Sequence, residues 1–259
     1  FAALALARKP CYIGAADIDA DALEVYTRNF RPRITIPSDV GAFVDYQVVG
    51  QGAGAAFLYE PEIINAAASQ LGNVDLLVAG PPCQGHSNLN NYTRRDDARN
   101  EQYIATVASA VGLQAKSVVI ENVREVAAAK GDLLTTARAL LEAAGYSVEI
   151  ATLDASRVGI SQTRKRSFLV ASSEGRTNIA EAYQSMHAPI TPCLEAIADL
   201  VEEFGNGLFN QTTNVSAETQ SRIDHLFDED AFELPDHLRP DCHKDGHTYG
   251  SVYGRLRPD

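Results

Sequence analysis

Short apolar runs alternate with longer helix-patterned stretches along most of this chain. That alternation restricts the fold to βαβ units built on a largely parallel sheet, an α/β architecture. Val74 to Ala79 reads as the clearest buried strand and ends at a Gly-Pro-Pro turn, residues 80–82. Cys11 to Ala16 and Ser117 to Ile120 read as further strands, and Ser147 to Thr152 and Ser167 to Ser172 as the last two. Helices are expected over Ala20–Asn29, Asn100–Leu113 and Leu133–Ala144, the last stopped by Gly145. The final two strands are close in sequence and joined by a basic turn, which predicts an antiparallel hairpin at one edge of an otherwise parallel sheet. Phe1 to Ala7 is apolar but has no basic segment before it, so it reads as a helix rather than a signal peptide. Beyond Ser173 the pattern weakens into polar, acidic sequence, with helices expected near Leu194–Phe204 and Ala217–Phe227.

With 259 residues and 45% hydrophobic content the chain can fill a sizeable core. No stretch approaches the roughly eighteen consecutive apolar residues of a membrane span. The cysteines, at 11, 83, 193 and 242, are scattered and form no C-x-x-C pair, so a reducing cytoplasm is the expected compartment. A net charge of −12 argues on its face against nucleic acid as a partner. Ten of those twelve charges, however, come from residues 193–236, where eleven acids face the single base Arg222. The rest is near neutral and keeps basic stretches at Arg94, Arg95 and Arg99 and at Arg157, Arg164, Lys165 and Arg166. A phosphate-binding face is therefore compatible with the overall acidity.

In open α/β sheets ligands collect at the carboxyl ends of strands. Asp17 and Asp19 follow the first strand, and either could bind a ribose or simply cap the next helix. Asp39 follows the short segment ITIPS and could equally serve a turn. Cys83 stands in a Pro-Pro-Cys turn at the end of a strand, where two fixed φ angles hold it and a nearby helix N-terminus could stabilise a thiolate. A random cysteine is more often a buried structural residue, but that position favours a nucleophile. A thiol there implies covalent attack on carbon. Glu121, with Asn122 and Val123, ends the adjacent strand, where a carboxyl could exchange a proton with a ring nitrogen or act as an ordinary cap. The run Gln162 to Arg166 begins the last strand, and alternation would point Arg164 and Arg166 to one face as a carbonyl or phosphate clamp, or leave them on a solvated edge. Cys242, His243 and His247 lack a second pair of ligands, so they read as surface or core residues and no metal is expected.

In order and spacing, GPPCQGHS (80–87), ENV (121–123) and QTRKR (162–166) resemble the nucleophile, glutamate and arginine motifs of the DNA (cytosine-5) methyltransferases. AADIDADALEVYTRNF (15–30) is similar to that family's cofactor-ribose motif and SDV (38–40) to its adenine-binding turn, with a looser echo in SVYGRLRPD (251–259). The resemblance implies a Rossmann-like sheet and an enzyme that transfers a methyl group from S-adenosylmethionine to C5 of a cytosine flipped out of double-stranded DNA. Carried onto this sequence, it makes Cys83 the nucleophile on C6, Glu121 the partner of N3, and Arg164, supported by Arg166, the holder of the cytosine carbonyl and the glutamate. Asp17 would bind the ribose, Ile18 would cover the adenine, Asp39 and Val40 would meet its edge, and Pro81 would line the cofactor site. Gln84, Ser87, Arg94, Arg95, Arg99 and Gln162 would face DNA. The implied setting is a cytoplasmic monomer of the restriction-modification type.

Several positions depart from the family pattern. No glycine-rich F-x-G-x-G turn precedes residue 15, Ser161 replaces a usual proline, and Gln102 falls where an apolar cofactor contact is usual. The implied domains are residues 1–172, catalytic, and 173–259, an acidic extension towards a target-recognition region. From the missing end motifs these 259 residues are expected to be part of a longer protein and inactive alone. A non-catalytic homologue acting by binding only and an RNA methyltransferase of the same family are the alternatives.

Overall fold

The computed structural model describes residues 14–82, 101–128, 132–201, 214–240, 244 and 254–255. The chain divides into two compact units, Phe1–Asp154 with Arg164–Met186, and Ala155–Thr163 with His187–Asp259.

In the first unit, β1 (Gly14–Ala16) pairs in parallel with β2 (Ile34–Ile36), in the register Gly14↔Ile34 to Ala16↔Ile36. Helix α1 (Ala20–Phe30) joins them. Asp19 starts it by accepting from the N–H groups of Asp21 and Ala22, and Arg31, at φ 51°, ends it in the left-handed region. Three further strands of two residues, β3 (Val44–Asp45), β4 (Val48–Val49) and β5 (Ala56–Phe57), lead to β6 (Glu62–Ile63). They pair β3 with β6 and β4 with β5, both antiparallel.

The main sheet contains β7 (Leu76–Ala79), β8 (Ser117–Val123), β9 (Ser147–Asp154) and β10 (Lys165–Ser172), in the order β7-β8-β10-β9. β7 and β8 run parallel, whereas β10 is antiparallel to both β8 and β9. Among the described residues, then, parallel pairing resides in two separate pairs, β1–β2 and β7–β8. The reading of Val74–Ala79 as a buried strand needs correction, because Leu76 and Val78 are 43% and 48% exposed. Among the described residues β7 stands first in the strand order of this sheet, and only alternate residues, Leu77 among them, face the core.

Two helices cover one face. α2 (Glu101–Gly112) contributes Tyr103, Val107 and Ala110, and α3 (Leu133–Ala143) contributes Leu133, Ala137, Leu140 and Leu141. They pack on Val118 and Ile120 of β8 and Leu169 and Ala171 of β10. Each fully buried Leu, Ile or Val side chain of this cluster stabilises the unit by about 1.5–3 kcal/mol. A second cluster joins Ile36, Phe43, Val44 and Ala68 to Ala108 of α2, so this helix is a wall common to both. A short helix that the sequence pattern did not announce, α4 (Ile179–Ser185), is capped by Asn178 and buries Ile179.

In the second unit the helix expected from Leu194 begins as α5 (Cys193–Ala196) and passes into a 3-10 turn over Ala198–Val201. α6 (Ala217–Asp228) is capped by Ser216. Arg255 packs on this helix end: its guanidinium lies 4.8 Å and 4.9 Å from the ring centres of Phe227 and Phe232 and donates to Leu226 O and to Asp230 Oδ1. Cys242, His243, His247, Tyr249 and Tyr253 lie outside the described residues. Among the described residues no helix is long and apolar enough to cross a membrane.

Candidate functional site

Two groups of side chains gather at the carboxyl ends of the parallel strands. At the end of β1, the Asp17 N–H donates to Ile36 O at 3.3 Å, which sets residues 17–19 beside the loop leaving β2. Asp17 is exposed, and its Oδ1 accepts from the Asp19 N–H at 2.9 Å. The two aspartates thus separate: Asp19 caps α1, and Asp17 folds the turn before it. Ile18 holds an apolar side chain 72% open to solvent. Across the pair, Asp39 caps a 3-10 turn, Val40–Ala42, by accepting from the Gly41 N–H at 2.7 Å. Two carboxylates and an exposed isoleucine at neighbouring strand ends fit a ligand with hydroxyls, an amine and a flat apolar ring, as an adenine nucleoside has.

The second group is built on β8. The expectation that Glu121 and Asn122 follow this strand is corrected, since pairing with Phe168 and Ser167 of β10 carries the strand through to Val123. Alternation then decides where each side chain goes. Val118, Ile120 and Asn122 are buried on one face, whereas Glu121 and Val123 take the other. Arg166 lies opposite Val123 and therefore reaches Glu121 on the diagonal, Nε to Oε1 at 3.1 Å. At 26% and 37% side-chain exposure the pair contributes at most about 1 kcal/mol to stability, so its consequence is aim. A Cβ on Gly80 would stand 3.9 Å from Glu121 Oε2, which places the carboxylate against the Gly80–Pro81 turn. Nearby, burial pushes the Glu125 carboxyl up, but the hydrogen bond from Arg124 and the charges of Arg124 and Arg166 hold it below its ordinary value.

Asn122, which sequence reasoning did not assign a role, fixes that turn. It is 3% exposed, and its Nδ2 donates to Pro81 O at 3.3 Å. A buried amide on a strand must find a partner, and that requirement was the available signal. Pro81 is itself buried, so the chain leaves β7 anchored to β8 two residues before Cys83 in the sequence.

Cys83, Gln84, Ser87, Arg94, Arg95 and Arg99 lie outside the described residues. Of the expected pair Arg164 and Arg166, it is Arg166 that the structure brings to Glu121. β10 begins only at Lys165, so Arg164 precedes the strand and alternation does not govern it. Arg164 is exposed, and Arg166 is the arginine that meets Glu121. Gln162 is exposed and belongs to the second unit.

The model of a family described as C-5 cytosine-specific DNA methylase matches residues 3–254. Type II methyltransferase M1.BsuMI of Bacillus subtilis is 34% identical over 253 residues, 97% of this chain and 57% of that protein. Type II methyltransferase M.AgeI of Thalassovita gelatinovora is 31% identical over 163 residues, 62% of this chain and 34% of that protein. The chain therefore spans little more than half, or a third, of these curated relatives. The structure of S. pombe Dnmt2 methyltransferase matches with a TM-score of 0.54 over 86% of this chain and 61% of that one, at 17% identity, and shows an α/β methyltransferase fold.

Proposed function

This chain belongs to the C-5 cytosine-specific DNA methylase family, and from that premise we propose that it transfers a methyl group from S-adenosylmethionine to C5 of a cytosine flipped out of duplex DNA. The observation that carries the reading is the Glu121–Arg166 pair held against the Gly80–Pro81 turn that leads into Cys83. Cys83 attacks C6 of the cytosine, which is out of reach while the base is stacked. Glu121 hydrogen-bonds or protonates N3, so that attack builds no uncompensated negative charge on the ring. Arg166 aims the carboxylate and Arg164 holds the cytosine carbonyl. Bound S-adenosylmethionine supplies the methyl group from its sulfonium centre. Asp17 would hold the ribose hydroxyls, Ile18 the adenine face, Asp39 and Val40 its edge, with Pro81 lining the site. Loss of the C5 proton then lets the Cys83 sulfur leave C6.

In this reading β1–β2 and β7–β8 are parts of one mostly parallel Rossmann-like sheet, with β9–β10 its antiparallel hairpin. Residues 1–172 form the catalytic domain and 173–259 an acidic extension towards a target-recognition region, with the acidic run 193–236 a solvated face away from DNA. The protein works as a cytoplasmic monomer of the restriction-modification type and needs no metal. Gln84, Ser87, Arg94, Arg95, Arg99 and Gln162 face the DNA.

Methyl transfer from tritiated cofactor, assayed in parallel on duplex DNA and on tRNA, tests the function. Incorporation into DNA alone supports it, and incorporation into tRNA alone assigns the substrate to RNA and overturns it. If Arg94 and Arg95 meet phosphates, Arg94→Ala and Arg95→Ala should each lower DNA affinity and reduce the slope of log affinity against log salt by about one. Slopes equal to wild type would remove both from the phosphate contacts.

A further inference from the structure

One polar side chain outside the proposed reaction joins the Asp39 turn to α2. Gln102, in the first turn of that helix, accepts from the Gly41 N–H through Oε1 at 3.2 Å, the same N–H that donates to Asp39 Oδ1 at 2.7 Å. A Cβ added to Gly41 would stand 3.0 Å from Asp39 Oδ1 and 3.4 Å from Gln102 Nε2, so carboxylate and carboxamide close on one side of this residue and would have to give by a few tenths of an ångström to admit a side chain. Burial first, and the Glu101 charge second, raise the Tyr46 hydroxyl above its ordinary pKa. Ala108 packs against Ile36, Phe43 and Val44, while Tyr103 and Val107 pack beneath β8, which bears Glu121. α2 thus meets the Asp39 turn directly through Gln102 and packs on the face of β8 opposite the one that carries Glu121.

Sharing a donor matters to Asp39. A carboxylate oxygen wholly occupied by its own turn is a poorer acceptor for a ligand, and a second acceptor on the Gly41 N–H loosens that hold. We propose that Gln102 is a positioning residue that sets the Asp39–Gly41 turn and so sharpens its preference for a purine with an exocyclic amine over one with a keto oxygen. This rests on the reading of Asp39 and Val40 as the contacts to the adenine edge.

The test is calorimetric titration of the full chain with S-adenosylhomocysteine and with its inosine counterpart, in which a keto oxygen replaces the amine. Wild type binds the adenine compound more tightly. Gln102→Met, similar in length but without the acceptor, weakens binding of the adenine compound about fivefold and leaves the inosine compound within about twofold. Gln102→Glu, which keeps an acceptor, retains the preference. The ratio of the two constants is independent of the fraction folded, so a general loosening of the protein does not imitate the effect. Equal weakening of both compounds in Gln102→Met, or an unchanged ratio, overturns the role of Gln102 alone. A wild-type chain that binds the two alike, or binds neither, overturns the adenine reading and the inference with it.

Discussion

Cys83→Ser should lower methyl transfer by at least about four orders of magnitude, because a serine hydroxyl near neutral pH is a far weaker nucleophile than a partly ionised thiol. The change is nearly isosteric, so affinity for DNA and the melting temperature should stay close to wild type. Single-turnover methyl transfer, measured beside DNA binding, separates these quantities. The preceding residues give the expectation its structural ground: Pro81 is buried and its carbonyl is held by Asn122, so the turn entering Cys83 is anchored on the strand that carries Glu121. Turnover retained in Cys83→Ser would make this cysteine structural.

Glu121→Gln should slow the chemical step by about 10²–10⁴-fold. Glutamine preserves the shape and can still accept from Arg166 Nε, but it cannot deliver and regain a proton in step with attack at C6. Folding should be spared, since a half-exposed ion pair contributes at most about 1 kcal/mol. The distinguishing result is a lowered rate with an unshifted melting curve. An unchanged rate would show that the proton reaches the ring from another group, and a large loss of stability would make the Glu121–Arg166 pair structural.

Much of the first unit was legible in the sequence because its elements are long enough to show a period. Helices α1, α2 and α3 lie within a residue of where periodicity and capping residues put them, and the Asp19 cap was one of two stated readings of that turn. The pairs β3–β6 and β4–β5 were not legible, since two residues cannot display an alternation. Exposure of Leu76 and Val78 was hidden for a different reason: composition reports that a run is apolar, whereas tertiary packing decides which face of the strand is covered. At the site, the motif spacing brought Glu121 to the right strand end, but its exact place depended on pairing with β10. The same pairing settled which arginine meets it. Local alternation treated Arg164 and Arg166 alike, and only the start of β10 at Lys165 separates them. Gln102 was visible as a departure from the apolar residue usual there, yet its partner Gly41 lies 61 positions away, a contact that no local pattern encodes.

Covalent catalysis through Cys83 is the centre of the account, and a duplex carrying 5-fluorocytosine at the target position tests it most directly. Fluorine cannot leave C5 as a proton does, so after methyl transfer the elimination that releases the sulfur is blocked. In the presence of S-adenosylmethionine, active protein should form a denaturant-stable complex with this duplex, and peptide mapping should place the bond on Cys83. Active protein that methylates cytosine yet forms no such adduct, or forms it through another residue, would contradict the account.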